Sequence, residues 1–506
     1  MSCAGQCLKV LSPPAANPRS FDCESGLHLQ GETIILTTRK HSFIRLVRKF
    51  CDLCCLGEFG MRRLCCHEIP PKTSFRHLIP RVIVPLLLIG TPLWADDRFH
   101  FRVESNLKAG VAKVDITPAA DTPVVGHVRP TNGVRDPIRA GVLLLANEQT
   151  QAAIVTLDLI NAPTEMVEAL RDAIAQKTEI PRENIMVAAS HNHSGPGWSR
   201  ESPWSRDMVV KIGAAAADAA KEMRPVTIGY GEDRIDFNIN RRKVINGRAV
   251  VRLDPEGPCD HRVKVLRFDD GRTLEPMAVL MHAVCHPCVF TWGDKLTPPF
   301  PNGFPKISAD FPGEAQTFVE TVYGTKTRAL FLQGCAGDIR PNLPGMPYRC
   351  GDEADIKWTG RSLGCAVVRS VDRGAVREEL AKRKTIYPLK CATSVIPLPG
   401  KTEKQACEMQ ALRIGDFLLL TMPGEPMVEY GFQIEKAIAD RAIPIVVGYA
   451  NGSLGYICTA ESHQYGGYEP NMSPLLPEAE PLILNELGRL SDKVLADVFE
   501  SFKPTK

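Results

Sequence analysis

The chain has almost no net charge. Its 61 lysines and arginines meet 58 aspartates and glutamates, a formal +3 over 506 residues. So small a surplus leaves no footprint for a nucleic acid, and no nucleic-acid partner is expected. Repeats and low-complexity linkers are also missing, which argues against a solenoid or a string of tethered modules. The apolar run at residues 82–94 is too short to cross a bilayer as a helix, which needs about 20 residues. Regular paired cysteine spacing is absent too. Cys51, Cys54, Cys55, Cys65 and Cys66 crowd near His67 without the spacing of a structural zinc module.

What the chain does have is apolar material for a sizeable core, 44% of its residues. The first hundred residues differ from the rest. Eight of the 17 cysteines lie there, with no steady periodicity. Arg76, His77 and Arg81 precede the short apolar run and Ala95 ends it, the layout of a signal peptide. Residues 61–95 are therefore expected to be a leader beginning at Met61, and residues 1–60 an over-extended start. A disordered arm before a membrane anchor is the alternative. Export, to a periplasm or outside the cell, is the expectation. Nine cysteines follow the leader, so at least one has no partner within the chain.

From Ala109 onward strand-like and helix-like stretches alternate. Residues 141–159 read as a hairpin with its turn at 147–150. Residues 164–178 form an amphipathic helix with Thr164 as N-cap, and 184–190 a short buried strand. The rhythm recurs: a hairpin over 262–285, a helix opened by Pro312, a strand from Arg328, and a helix over 355–371. A third hairpin spans 410–425, before a helix over 426–440 and a strand from Ile443. An amphipathic stretch over 482–502 closes the pattern. Hairpins mixed with βα units predict a layered α/β domain over 105–500, with mixed β-sheet and flanking helices.

Several apolar strands end in polar, glycine-rich segments, at His191 and His193, His286, Asp338, Glu425 and Tyr456. In α/β sheets the binding crevice lies beyond the carboxyl ends of strands. In the stretch "SHNHSGPG", extended geometry would aim His191 and His193 into one pocket and turn Asn192 away. Two histidines and a carboxylate from separate strands suit a catalytic zinc with one open position for water. Zinc lowers the pKa of such water to about 7.

Over about residues 108–470 the chain resembles the catalytic domain of the neutral ceramidase family. The likeness rests on "DITP", "SHNHSGPG", "NINRR", "HAVCHP", "SADFPG", "GCAGDIRPN", "MPGEP" and "GYICTAESHQYGGYE". Members are zinc amidases that split the N-acyl bond of ceramide. The resemblance implies His191, His286, Glu425 and Tyr456 as metal ligands. It puts His193 beside the metal as a proton-transfer group, and Arg241 and Tyr468 on the wall of the site. A lipid or small-molecule N-acyl substrate follows, with peripheral membrane contact and oligomeric state left open.

The chain departs from the family at three places. The family carries Gly-Asp-x-Ser-Pro-Asn, where this chain reads Gly337-Asp338-Ile339-Arg340-Pro341-Asn342. Arg340, Asp338 and Asn342 are candidates for substrate binding, and a guanidinium in the pocket would suit an anionic substrate. Asp338 could instead neutralise Arg340. Larger members also continue into a C-terminal β-rich domain, which is not expected here. Third, Cys285-His286-Pro287-Cys288 has redox spacing, but it follows a strand rather than opening a helix, so quiet thiols or a local disulfide are expected. The expected activity is zinc-dependent hydrolysis of an N-acyl amide. The alternatives are another, anionic acyl amide or ester substrate, and a metal-stabilised binding homologue without catalysis.

Overall fold

A computed structural model describes residues 105–125, 131–290, 306–343, 351–372 and 385–496. All belong to one unit, Ala95–Lys506. The expected leader and the early cysteine cluster lie outside the described residues.

The described residues begin with three antiparallel strands, β1 (Lys108–Asp115), β2 (Arg139–Ala146) and β3 (Gln151–Leu157). The β2–β3 turn closes where expected: the Asn147 side chain accepts from the N–H groups of Gln149 and Thr150. Helix α1 (Thr164–Thr178) then crosses to β4 (Ile185–Ala189), parallel to β3. Thr164 is not its N-cap. Pro163 holds that place, with the extended backbone a cap needs, and its carbonyl accepts from Met166 and Val167. Helix α2 (Pro203–Lys221), absent from the sequence reading, is capped by Ser202, which accepts from Ser205 N, with Pro203 in the first turn.

Next come β5 (Arg224–Arg234), the hairpin β6 (Asn238–Ile245) and β7 (Arg248–Asp254), and the expected hairpin β8 (Arg262–Asp270) and β9 (Pro276–Ala283). Helix α3 (Asp310–Tyr323) starts two residues before Pro312, which sits in the first turn, where its missing N–H costs nothing. It leads to β10 (Arg328–Gln333), parallel to β9, then β11 (Ile339–Pro341) and α4 (Glu353–Asp372). The last part holds β12 (Leu389–Leu398), β13 (Gln405–Ile414), β14 (Phe417–Thr421), β15 (Glu425–Pro426), α5 (Val428–Ile438), β16 (Ile443–Val447) and β17 (Tyr456–Ile457). The short helices α6 (Ala460–Tyr465) and α7 (Tyr468–Met472) precede α8 (Ala479–Leu495). The last begins three residues before the amphipathic stretch read from sequence.

An eight-stranded mixed sheet, ordered β10-β9-β8-β5-β1-β2-β3-β4, packs on a four-stranded sheet, β12-β13-β14-β16. Period-two alternation makes this possible. On β2, Leu143 and Leu145 point between the sheets with Leu412, Leu419 and Ile445. Val142 and Leu144 point outward, onto Val167 and Leu170 of α1 and Ile212 of α2. Helices α3 and α4 cover the other half of that face, and α5 and α8 cover the smaller sheet. The result is an α/β/β/α stack, the layered mixed-sheet class the sequence implied. Among the described residues no helix is long and apolar enough to cross a membrane.

Candidate metal centre

The centre sits where the two sheets bring their strand ends together. Gln333, fully buried at the end of β10, donates to Ser190 O (3.1 Å) after β4 and to Cys285 O (2.7 Å) after β9. It also accepts from Cys285 N (3.3 Å). Ala189 N donates to Tyr449 O (3.0 Å), tying β4 to the segment after β16. Glu425 starts β15, whose partner β17 places Tyr456 directly opposite it.

His191 and His193 do share one pocket, but not by extension. His191 has φ +67, in the left-handed region, so the strand has already turned. Their Nε2 atoms lie 3.2 Å apart. His191 Nε2 lies 3.0 Å from His286 Nε2 and 3.1 Å from Glu425 Oε2, and His286 Nε2 lies 3.3 Å from that same oxygen. The three histidines can hold a metal ion together.

The protonation pattern shows what the cluster accommodates. His191 Nδ1 donates to Ile160 O (2.7 Å) and His286 Nδ1 to Ala336 O (2.6 Å), which leaves Nε2 of each ring as the atom turned inward. Burial and then Arg241 lower the His286 pKa to about 4, so that ring is neutral at pH 7. Burial raises the Glu425 carboxyl, but positive charge at the His191 and His286 positions outweighs it and holds it well below the usual carboxylate range; with the His286 ring neutral, a bound cation would supply that charge. Its buried Oε2 has no hydrogen-bond donor. Acceptors facing one another at this distance repel unless a cation lies between them. Ligands of a tetrahedral zinc, about 2.0–2.1 Å from the metal, stand roughly 3.3 Å apart, which the observed spacings fit. The carbonyl bonds on both Nδ1 atoms are the outer support that metal-binding imidazoles use.

A second ring surrounds these groups. Arg241 donates through Nη2 to Tyr456 Oη (3.0 Å) and Gly337 O (2.8 Å), and through Nε to Glu469 (3.0 Å). Arg242 donates to the other Glu469 oxygen (3.1 Å). Burial pushes the Tyr456 hydroxyl up, and Arg241 works against it. The Tyr468 ring lies 5.7 Å from that of Tyr456 and is 46% exposed, at the rim.

The Asp338 segment has a more structural character. Asp338 accepts from Asn240 Nδ2 (2.8 Å) and Val428 N (3.0 Å), and burial raises its pKa to about 6. Arg340 is half-buried on β11, and its charge bears on the Cys285 and Cys288 thiols. Asn342 is exposed, with its backbone N–H on Phe237 O (2.5 Å). Cys285 and Cys288 are free thiols, as are the other described cysteines. Burial raises both, the opposite of an activated redox pair.

Three residues escaped the sequence reading, and a fourth, Asn192, was given too small a part. Asn192 is turned from the imidazoles as expected, yet it is no mere spacer. It donates to Ser308 O (2.6 Å) and Asp158 O (3.1 Å) and accepts from Ser194 N (2.9 Å), fixing the turn between the histidines. Gln333 and Glu469 were hidden because their partners are remote in sequence. Tyr449 was hidden inside an apolar run; its ring lies 4.2 Å from that of His191.

No protein-family model matches the chain, and no curated protein sequence matches it. Solved structures do. The chain resembles neutral ceramidase from Pseudomonas aeruginosa with a TM-score of 0.63 and 18% identity, covering 79% of this chain and 76% of that one. A ceramidase complexed with C2 matches with the same score, identity and coverage. The chain therefore has the fold of neutral ceramidase.

Proposed function

We propose that the protein is an exported, zinc-dependent hydrolase of the neutral ceramidase type, cleaving the N-acyl amide bond of a lipid or small-molecule substrate. One observation carries this reading: two imidazole Nε2 atoms and a carboxylate oxygen converge within 3.0–3.3 Å at separate strand ends of a ceramidase fold. His191, His286 and Glu425 would hold the ion, with Tyr456 as the fourth protein ligand. Zinc there supplies a Lewis acid for the acyl oxygen and brings the pKa of water towards 7. His193 is kept neutral: burial first, then its two imidazole neighbours, push its pKa well down. It can take a proton at Nε2 and pass it to the leaving amine nitrogen. Tyr468, at the rim, can donate to the acyl oxygen. Arg241 orients Tyr456 rather than substrate, since its guanidinium is committed to Tyr456, Gly337 and Glu469.

Metal analysis after expression with zinc should find about one ion per chain. Hydrolysis of an N-acyl amide should disappear with chelator and return with zinc. His286→Ala should lose the ion; His193→Ala should keep it and lose about 10²–10⁴-fold in rate. A zinc-free wild-type protein that still hydrolyses the amide would overturn the reading. A second form of it makes the substrate anionic, favoured by the half-buried Arg340 charge acting on Cys288, two residues from His286. Arg340→Ser should then cost about 1.5–3 kcal/mol in kcat/KM for an anionic amide and nothing for a neutral one. Equal losses on both would assign Arg340 to structure.

A further inference from the structure

Tyr449 combines three features that a purely structural residue has little reason to combine. It is 2% exposed, and its hydroxyl oxygen is buried with no hydrogen-bond partner. A buried hydroxyl without a partner destabilises the fold, and phenylalanine would fill the same space without that cost. Its backbone has φ +56, a region that a bulky residue other than glycine enters only under constraint. Two main-chain bonds impose it: Tyr449 N donates to Gly424 O (2.8 Å), and Tyr449 O accepts from Ala189 N (3.0 Å). Those bonds fasten it between the strand that leads to His191 and the segment that leads to Glu425. Its ring lies over the His191 imidazole, with centroids 4.2 Å apart and planes tilted by 32°, and 6.3 Å from the His286 ring. The groups that bear on its hydroxyl are Glu425, Tyr456 and Arg241 of the same centre, and the buried Cys335 thiol outside it.

We infer that Tyr449 is a substrate-binding residue whose hydroxyl donates a hydrogen bond to the acyl oxygen of a carboxylic amide, and to the matching carboxylate oxygen of the product. The inference rests on the hydrolase reading for the amide, but the carboxylate half stands without turnover. A strained, buried, unpartnered donor beside the convergent imidazoles is pre-organised for an acceptor that only a ligand brings. The unmet hydrogen bond costs stability in the free protein and is recovered when the acyl group arrives. Stability and function should therefore move in opposite directions on removal of one oxygen atom.

Tyr449→Phe isolates that atom, because ring, burial and backbone constraint are retained. The measurements are calorimetric binding of octanoate to the zinc-loaded protein, kcat/KM on a soluble N-octanoyl amide, zinc content and the denaturation midpoint. The expected result is octanoate binding at least 10-fold weaker and kcat/KM at least 10-fold lower, with zinc content unchanged and a midpoint equal to or above wild type. Unchanged octanoate binding would overturn the inference. So would a lowered midpoint, because it would show that the hydroxyl already has a partner in the free protein. If wild-type protein fails to hydrolyse the amide, the hydrolase reading falls and octanoate binding alone decides the role of Tyr449.

Discussion

Glu469 shows how much one buried carboxylate can organise. It is 1% exposed, accepts from Arg241 and Arg242 through separate oxygens, and so fixes the guanidinium that holds the Tyr456 hydroxyl. Both arginines are nearly buried as well, at 11% and 8%. Glu469→Gln keeps the shape but leaves two buried cations without a counter-charge. Breaking such a pair costs about 3–5 kcal/mol. Denaturant unfolding should show a loss of that size, and a loss below about 1 kcal/mol would mean that water screens the triad. None of this is visible in the local sequence, where Glu469 is one more acidic residue in a short polar helix.

At the scale of elements, the centre depends on how closely short segments approach. β15 is only two residues long, yet it delivers Glu425. It packs against the turn at Gly337, where a Cβ would stand 2.6 Å from Glu425 O and 3.0 Å from Pro426 O. Both atoms belong to backbone and cannot swing aside. Gly337→Ala should push β15 away, costing about 1–3 kcal/mol by overpacking and lowering zinc content through displacement of Glu425. Normal zinc content in a stable variant would show that β15 moves without carrying the carboxylate along. The glycines of "SHNHSGPG" drew attention in the sequence, but the closer approach belongs to Gly337. Only the packing of two distant segments distinguishes it.

The whole molecule responds to acid through histidines that folding buries in neutral form. His282 on β9 donates to Val446 O (2.9 Å) across the inter-sheet core. Burial, reinforced by Lys264, lowers its pKa from 6.5 to about 4. Between those values the unfolded chain binds more protons than the folded one, so stability falls as pH drops from about 6.5 to 4. The full shift corresponds to roughly 3 kcal/mol. His282→Gln keeps a donor for Val446 and cannot titrate. Denaturation midpoints measured from pH 7 to 4.5 should fall less steeply in the variant than in wild type. Parallel curves would place the acid sensitivity elsewhere, with His286 the next group to examine.

The sequence by itself determined the layered α/β class, because period-two and period-3.6 patterns are local and survive any tertiary arrangement. It determined the hairpins at 147–150 and at β8–β9, where turn chemistry sits between alternating runs. It also pointed to His191, His193, His286 and Glu425, since each follows an apolar strand. The tertiary structure decided what pattern alone could not. α2 begins in a serine- and proline-rich loop that masked it, and β5 to β7 are only partly buried, which blurs their alternation. The pairing of His191 with His193 comes from a left-handed turn held by Asn192, not from extension. The roles of Gln333, Tyr449 and Glu469 arise where chain segments far apart in sequence meet. A buried hydrogen bond or ion pair across such a distance has no local period, so only folding reveals it.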